Sequence, residues 1–197
     1  WNHKRVHRIY CRLNLNKRRR GKKRLPNRDP IQLAVPDTMN GCWSIDFMCD
    51  RLFCGRRFRT FNVIDDFSRE VLAIEIDVGL SAERVTRVLD RVVAWRGYPS
   101  TLRMDNGPEF ISNTLADWAE EHAIDLEFIQ PGKPMQNSYV ERFNRTYRDE
   151  ILNMYVFKTL SEVRAITEEW MDEYNEERPH DALEDLTPFE YRMAHQQ

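Results

Sequence analysis

Residues 41–78 read GCWSIDFMCDRLFCGRRFRTFNVIDDFSREVLAIEIDV, and the fold turns on this stretch. Over 41–52, Trp43, Ile45 and Phe47 alternate with Ser44, Asp46 and Met48, the period of two that marks a strand. Residues 56–67 are rich in Phe, Thr, Val and Ile, and 71–78 are apolar except for two acids. The short breaks at Cys54-Gly55 and Ser68-Arg69 predict an antiparallel meander of three strands. Asp46 is the anomaly. An acid between Ile45 and Phe47 inside a core strand is costly unless something pairs with it.

Working outward, the period changes. Val85, Val88, Leu89, Val92 and Val93 predict a helix that starts after Ser81 and stops at Gly97. A short strand over 101–104, a helix over 115–122 and a strand over 126–129 follow. A long helix is expected from about 134 to 155, with Val140, Phe143, Tyr147, Ile151 and Met154 on its apolar stripe. Thr159 with Glu162, and Thr187 with Glu190, are capping-box pairs that open two further helices, the second with Pro188 at its first position. The order βββαβαβα followed by helices predicts an α/β, ribonuclease-H-like mixed five-stranded sheet flanked by helices. Trp43, Trp95, Trp118 and Trp170 are expected in the core, and Cys42 and Cys49 in strand packing.

The chain's 197 residues suffice for one domain with appendages, and its 41% hydrophobic content excludes wholesale disorder. No apolar run approaches the roughly 20 residues that span a bilayer. No secretory signal is visible, and the four cysteines show no CxxC, so a cytoplasmic protein with reduced thiols is expected. The chain opens on Trp1 rather than Met, so a segment upstream is expected too. A net charge of −2 conceals an asymmetry: residues 1–28 carry +12 and the remainder −14. The densest part, Arg18, Arg19, Arg20, Lys22, Lys23 and Arg24, is a phosphate-binding segment by charge. LPNRDP then reads as a linker. The divisions expected are a basic DNA-binding arm and linker over 1–35, a catalytic core over 36–157 and a helical extension over 158–197. His3 and His7 lack the paired cysteines of a zinc finger and read as basic-helix side chains.

The long helix carries a polar stripe, Asn137, Glu141, Arg145 and Arg148, which borders the apolar one because Glu141 lies only 100° round from Val140. A Glu–Arg pair at this spacing is commonly a solvated ion pair. Two aspartates favour another reading: Asp46 in the first strand, and Asp105 where the fourth strand runs into Asn106-Gly107. Asp-Asn-Gly is also an ordinary turn sequence. Carboxylates from two strands and a helix could hold two hard divalent cations, the arrangement that suits in-line displacement at phosphorus. Asp65 and Asp66 could share the face of Asp46 only through a register shift, and read as structural. His180, in Arg178-Pro179-His180, reads as structural or DNA-facing.

The words around these carboxylates, WSIDFM, LRMDNGPEF and PGKPMQNSYVERFNRTYRDE, resemble the catalytic core of DDE transposases and retroviral-type integrases, and 35 residues separate Asp105 from Glu141 as in that family. Within it the chain resembles the second-reading-frame transposases of the bacterial insertion-sequence family numbered three. YNEERPHDAL, LTPFEY and the basic N-terminus, similar to the end of a helix-turn-helix region, carry that likeness. The resemblance implies that Asp46, Asp105 and Glu141 are catalytic and bind two Mg²⁺ or Mn²⁺ ions, with Asp46 bridging both. It implies DNA or positioning contacts at Asn106, Lys133, Gln136, Asn137, Asn144, Arg145 and Arg148. It also implies cleavage of element ends, transfer of the 3′-hydroxyl to target DNA, and a homo-oligomer on DNA in a bacterial cell, associated with the nucleoid. The alternatives are a nuclease of the same fold without strand transfer, and a non-catalytic DNA-binding fragment.

Overall fold

A computed structural model describes residues 2–13, 36–107, 110–129 and 137–195. The chain divides into two units, Trp1–Gln32 and Leu33–Gln197. In the first, helix α1 (His3–Arg12) begins at Asn2, whose side chain accepts the Lys4 N–H at 2.9 Å. Its apolar stripe of Val6, Ile9 and Tyr10, with Leu13 at the cap, is exposed. Arg18, Arg19, Arg20, Lys22, Lys23 and Arg24, together with Lys133 and Gln136, lie outside the described residues.

The second unit is built on five strands: β1 (Cys42–Arg51), β2 (Arg57–Asp65), β3 (Val71–Asp77), β4 (Thr101–Met104) and β5 (Asp125–Phe128). Their order is β3-β2-β1-β4-β5. The meander β1–β2–β3 is antiparallel, while β4 and β5 run parallel to β1. This is the expected ribonuclease-H-like sheet. Strand periodicity sends Trp43 and Ile45 to one face, where they meet helices α2 (Ala82–Arg96) and α3 (Asn113–Glu121). Met48, Phe58 and Ile76 pack on the opposite face with α4 (Ser138–Tyr147) and α5 (Leu160–Glu176). Each fully buried side chain of this kind contributes roughly 1.5–3 kcal/mol. Helix α2 stops at Gly97, whose φ of +87° disfavours any residue with a Cβ.

The long helix departs from expectation. Regular α-helix covers only Ser138–Tyr147, and Arg148–Leu152 forms a wider π-type turn, closed by the Asn153 N–H on the Arg148 carbonyl at 2.8 Å. Consecutive Ile151 and Leu152 are both buried in it, whereas Met154, beyond its end, is 71% exposed. Trp95 is likewise exposed, lining an open cavity between α2, β3 and α5, and Cys49 is exposed on β1. Hydrophobicity alone does not reveal where an element leaves the shelter of its neighbours. Thr159 caps α5, but Glu162 accepts the Lys158 N–H instead of closing the box on Thr159. The box at α6 (Pro188–Ala194) is complete.

The free edge of β3 is guarded by α5. Asn175 exchanges two hydrogen bonds with the backbone of Val71, both 2.9 Å, and Arg164 donates to the Ile76 carbonyl. Side chains thus stand in for a sixth strand at both ends of the edge.

Candidate active site

Asp46 sits in the middle of β1 on the α4 side of the sheet, partly buried. Its Oδ1 accepts the Phe47 N–H at 2.8 Å, and its Oδ2 accepts Nδ2 of Asn144 at 2.7 Å. The Asn144 Oδ1 accepts in turn from Nδ2 of Asn62 at 2.6 Å. Asn62 lies directly opposite Asp46 in the β1–β2 register. A polar chain therefore crosses from β2 through α4 to the β1 carboxylate. Burial pushes the Asp46 carboxyl up to about 6, and the charges of Asp105 and Glu141 push the same way, against the hydrogen bonds from Phe47 and Asn144.

Asp105 follows β4 at the same end of the sheet. Ser44 stands opposite Arg103 in the parallel pair, and two residues further along the two strands come Asp46 and Asp105. The Asp105 Oδ1 accepts the Gly107 N–H at 2.9 Å, holding the turn, and Asn106 Nδ2 donates to the Ile129 carbonyl at 2.7 Å, tying that turn to the end of β5. Glu141, on the first turn of α4, is exposed; partial burial raises its affinity for a proton and Arg145 lowers it. The fold thus brings Asp105 and Glu141, both far from Asp46 in the chain, within electrostatic reach of Asp46. Among the described residues no group of three or more His, Cys, Asp or Glu side chains stands close enough together to hold a metal ion as it is.

The expected DNA contacts separate. Arg145 is exposed beside Glu141. Arg148 reaches back to β1, donating to the Cys49 carbonyl at 3.0 Å and pairing with Asp50 at 3.4 Å. Asn137 and Asn144 are 2% and 8% exposed, so these two face the protein interior rather than a ligand surface. Asn144 is instead the hydrogen-bond partner of Asp46. Asn62 escaped sequence reasoning, although it carried the same signal as Asp46: a polar residue between apolar ones in a strand. Asp65 pairs with Arg96 and Asp66 with Arg103, and both stand beyond Asn62 toward the far end of β2. They hold the sheet together there.

Replacing Asn144 with Ala should leave both Asp46 and Asn62 short of a partner, destabilising the chain by about 1–3 kcal/mol. Urea denaturation measures this, and an unchanged midpoint would show that the Asn62–Asn144–Asp46 chain carries no energy.

Comparison with known proteins agrees with this architecture. Residues 36–134 match the integrase core domain family, and residues 122–188 match a second family of the same description. The chain belongs to the integrase-core family, the class of DDE-type polynucleotidyl transferases. Within it the chain stands with the transposases of bacterial insertion sequences. It is 46% identical over 194 residues to the 31.7 kDa protein of insertion element IS407 from Burkholderia multivorans, an alignment covering 98% of this chain and 70% of that protein. It is 39% identical over 190 residues to the 39.2 kDa protein of IS476 from Xanthomonas euvesicatoria, covering 96% of this chain but only 55% of that protein. Among solved structures, the HTLV-2 integrase catalytic core domain superposes with a TM-score of 0.59 at 15% identity, over 78% of this chain and 96% of that one. At that identity the likeness is one of fold.

Proposed function

We propose that this chain cuts the ends of an insertion sequence and joins the freed 3′-hydroxyl to target DNA, with Asp46, Asp105 and Glu141 as its catalytic residues. The observation that carries this reading is the Asp46 carboxyl, held at one position by Phe47 and Asn144 and left charge-frustrated by burial and by Asp105 and Glu141. A buried carboxylate on which two further carboxylates act suits an added cation better than a proton. The donor set is all oxygen, which fits Mg²⁺ or Mn²⁺. Asp46, Asp105 and Glu141 would hold two such ions, which supply charge neutralisation on the attacking and leaving oxygens when bound. Asn144 and Asn62 orient the Asp46 carboxylate, and the Asp105–Gly107 turn orients the second acid. DNA is the partner, met as a homo-oligomer that brings two ends together. Among the described residues no helix is long and apolar enough to cross a membrane, and the proposed site of action is the bacterial cytoplasm, at the nucleoid. The working division is arm and linker over 1–35, catalytic core over 36–157 and helical extension over 158–197.

Incubation with a labelled element end, a target plasmid and Mg²⁺ tests the reading. Joined products support it. Cleavage without joining would leave a nuclease of the same fold, and no cleavage by the folded chain would leave a DNA-binding fragment.

The arm supplies most of the attraction for DNA. Each phosphate neutralised contributes about −0.9 to the slope of log K against log salt, so engagement of roughly half the arm's +12 charge gives a slope near −5. Deleting residues 1–28 should flatten that slope and weaken binding to all duplexes alike, because phosphate contacts position without reading sequence. An unchanged slope in a salt-titrated binding assay would move the interface onto the core.

A further inference from the structure

A cavity of about 210 Å³ lies between the first turns of α4, the β2–β3 turn and the turn that follows α5. Three separate segments of the sequence meet in its wall: Arg69 from Asp-Phe-Ser-Arg, Ser138, Tyr139 and Arg142 from Ser-Tyr-Val-Glu-Arg, and His180 from Arg-Pro-His. Among the described residues no carboxylate lines it. Of the nearby acids, Asp66 is engaged by Arg103 at 2.7 Å and Glu150 by Arg178 at 2.7 Å and Trp170 at 2.9 Å, while Asp181 lies outside the lining and acts on His180 through its charge.

Its cationic groups are placed at some cost. Arg69 adopts a φ of +60°, a left-handed conformation that is uncommon for a residue with a side chain. Its guanidinium lies 3.4 Å from the centre of the Tyr139 ring and donates to the Asp66 carbonyl, which fixes its plane. Arg142 is exposed and, among the described residues, has no salt-bridge partner. The His180 ring packs edge-on against Tyr174 at 5.0 Å, and its buried Nε2 has no hydrogen-bond partner among the described residues. A buried polar atom left without a partner is expensive, and a ligand able to satisfy it would recover that cost. Burial, then the charges of Arg178 and Arg69, hold the imidazole's affinity for a proton below its ordinary value, as expected where positive potential collects.

We propose that this cavity seats one backbone phosphate of bound DNA, gripped by Arg69 and Arg142, with the His180 ring N–H and the Ser138 hydroxyl as further donors. Two guanidiniums and neutral donors, with no carboxylate in the described lining, suit a phosphodiester. Arg142 directly follows Glu141 in α4, about 100° round the helix, so the cavity and the candidate carboxylates are served by the same turn of one helix. The exposed position of Arg142 leaves the seat open to a polymer that must enter and leave it. This inference rests on the DNA-processing reading above. It assigns to the Arg-Pro-His turn a part in binding that lies outside the carboxylate site.

The test is anisotropy binding of the full chain to a labelled duplex carrying the element's terminal repeat, with single phosphates replaced in turn by uncharged methylphosphonate. One position should weaken wild-type binding about fivefold or more and have no further effect on Arg142→Gln. Arg142→Gln alone should weaken binding to a similar degree and reduce the salt slope by about 0.9, while Arg142→Lys recovers most of the loss. His180→Gln should weaken binding at the same phosphate position. Equal sensitivity of wild type and Arg142→Gln at every position overturns the proposal while leaving the transposase reading intact. Failure of the wild type to bind the duplex overturns both. Saturation of the cavity by submillimolar inorganic phosphate, with no phosphate position coupled to Arg142, would make it a small-anion site and also overturn the proposal.

Discussion

Asp46→Asn, Asp105→Asn and Glu141→Gln are each expected to abolish end cleavage and joining, by at least about 10³-fold, while Asp65→Asn and Asp66→Asn retain most activity. The size of the effect follows from the role proposed for these carboxylates: each substitution keeps the side chain's shape and removes the charge on which an oxygen-ligated cation depends. Asp46→Asn carries a second, less intuitive expectation. With burial, Asp105 and Glu141 pushing the Asp46 carboxyl up to about 6, well above its unfolded value, the folded chain binds a proton across the intervening window that the unfolded chain does not. Stability conferred by that proton is present below the unfolded value and is lost as pH rises through about 6. The amide has no such loss. Without divalent cation at neutral pH, Asp46→Asn should therefore be more stable than the wild type by about 1–2 kcal/mol, after a hydrogen bond of about 1 kcal/mol is given up. Adding Mg²⁺ should raise the wild-type melting temperature and leave that of Asp46→Asn nearly unmoved. A less stable, Mg²⁺-responsive Asp46→Asn would mean that the carboxylate is satisfied within the protein, and an Asp65→Asn variant as inactive as Asp46→Asn would mean that the first-strand acid has been misassigned.

Arg103→Ala is expected to lose about 3–5 kcal/mol of stability. Arg103 Nη1 meets Asp66 at 2.7 Å and its Nε meets Glu127 at 3.0 Å, with the Asp66 side chain fully buried. Burial already pushes the Asp66 carboxyl up to about 6 in spite of that guanidinium. Removing the cation leaves a buried acid that must either stay charged and unpaired or take a proton. Without Arg103 the Asp66 carboxyl rises further, so the deficit should be greatest at high pH, shrink as pH falls toward about 6, and be smallest and constant below that, where Asp66 is protonated in both proteins. Adding Asp66→Asn to Arg103→Ala should recover a large part of the loss. Urea denaturation at several pH values checks both expectations, and a pH-independent deficit would show that Arg103 acts through packing of its stem.

Strand and helix identity were legible along the chain because they are local. Alternation across 41–78, the 3.6-residue stripe in α2 and the Thr-Pro-x-Glu cap of α6 each act within a few residues, and each element appears within a few residues of its expected place. The order of those elements was enough for the sheet, since short connections and the change of period after β3 leave few arrangements. Asp46 was legible for a related reason. An acid amid core residues stands out against its own neighbours.

What could not be read was which side chain answers which. Asn137 and Asn144, on the polar stripe, were expected to make DNA or positioning contacts without a choice between the two; both are buried, and Asn144 joins Asp46 to Asn62. Nothing within α4 distinguishes an asparagine that meets solvent from one that meets a strand 98 residues away in sequence. The wide turn at Arg148–Leu152, the exposure of Trp95 and the meeting of Arg69, Arg142 and His180 are of the same kind. The sequence by itself determined the elements and their order and singled out Asp46 as an acid amid apolar neighbours, because periodicity and turn chemistry are carried by neighbouring residues, while Asp105 and Glu141 were candidates through the family resemblance. Only the tertiary structure decided the partners of those acids and the cationic cavity beside them, because hydrogen bonds and burial depend on distances in space that chain separation does not encode.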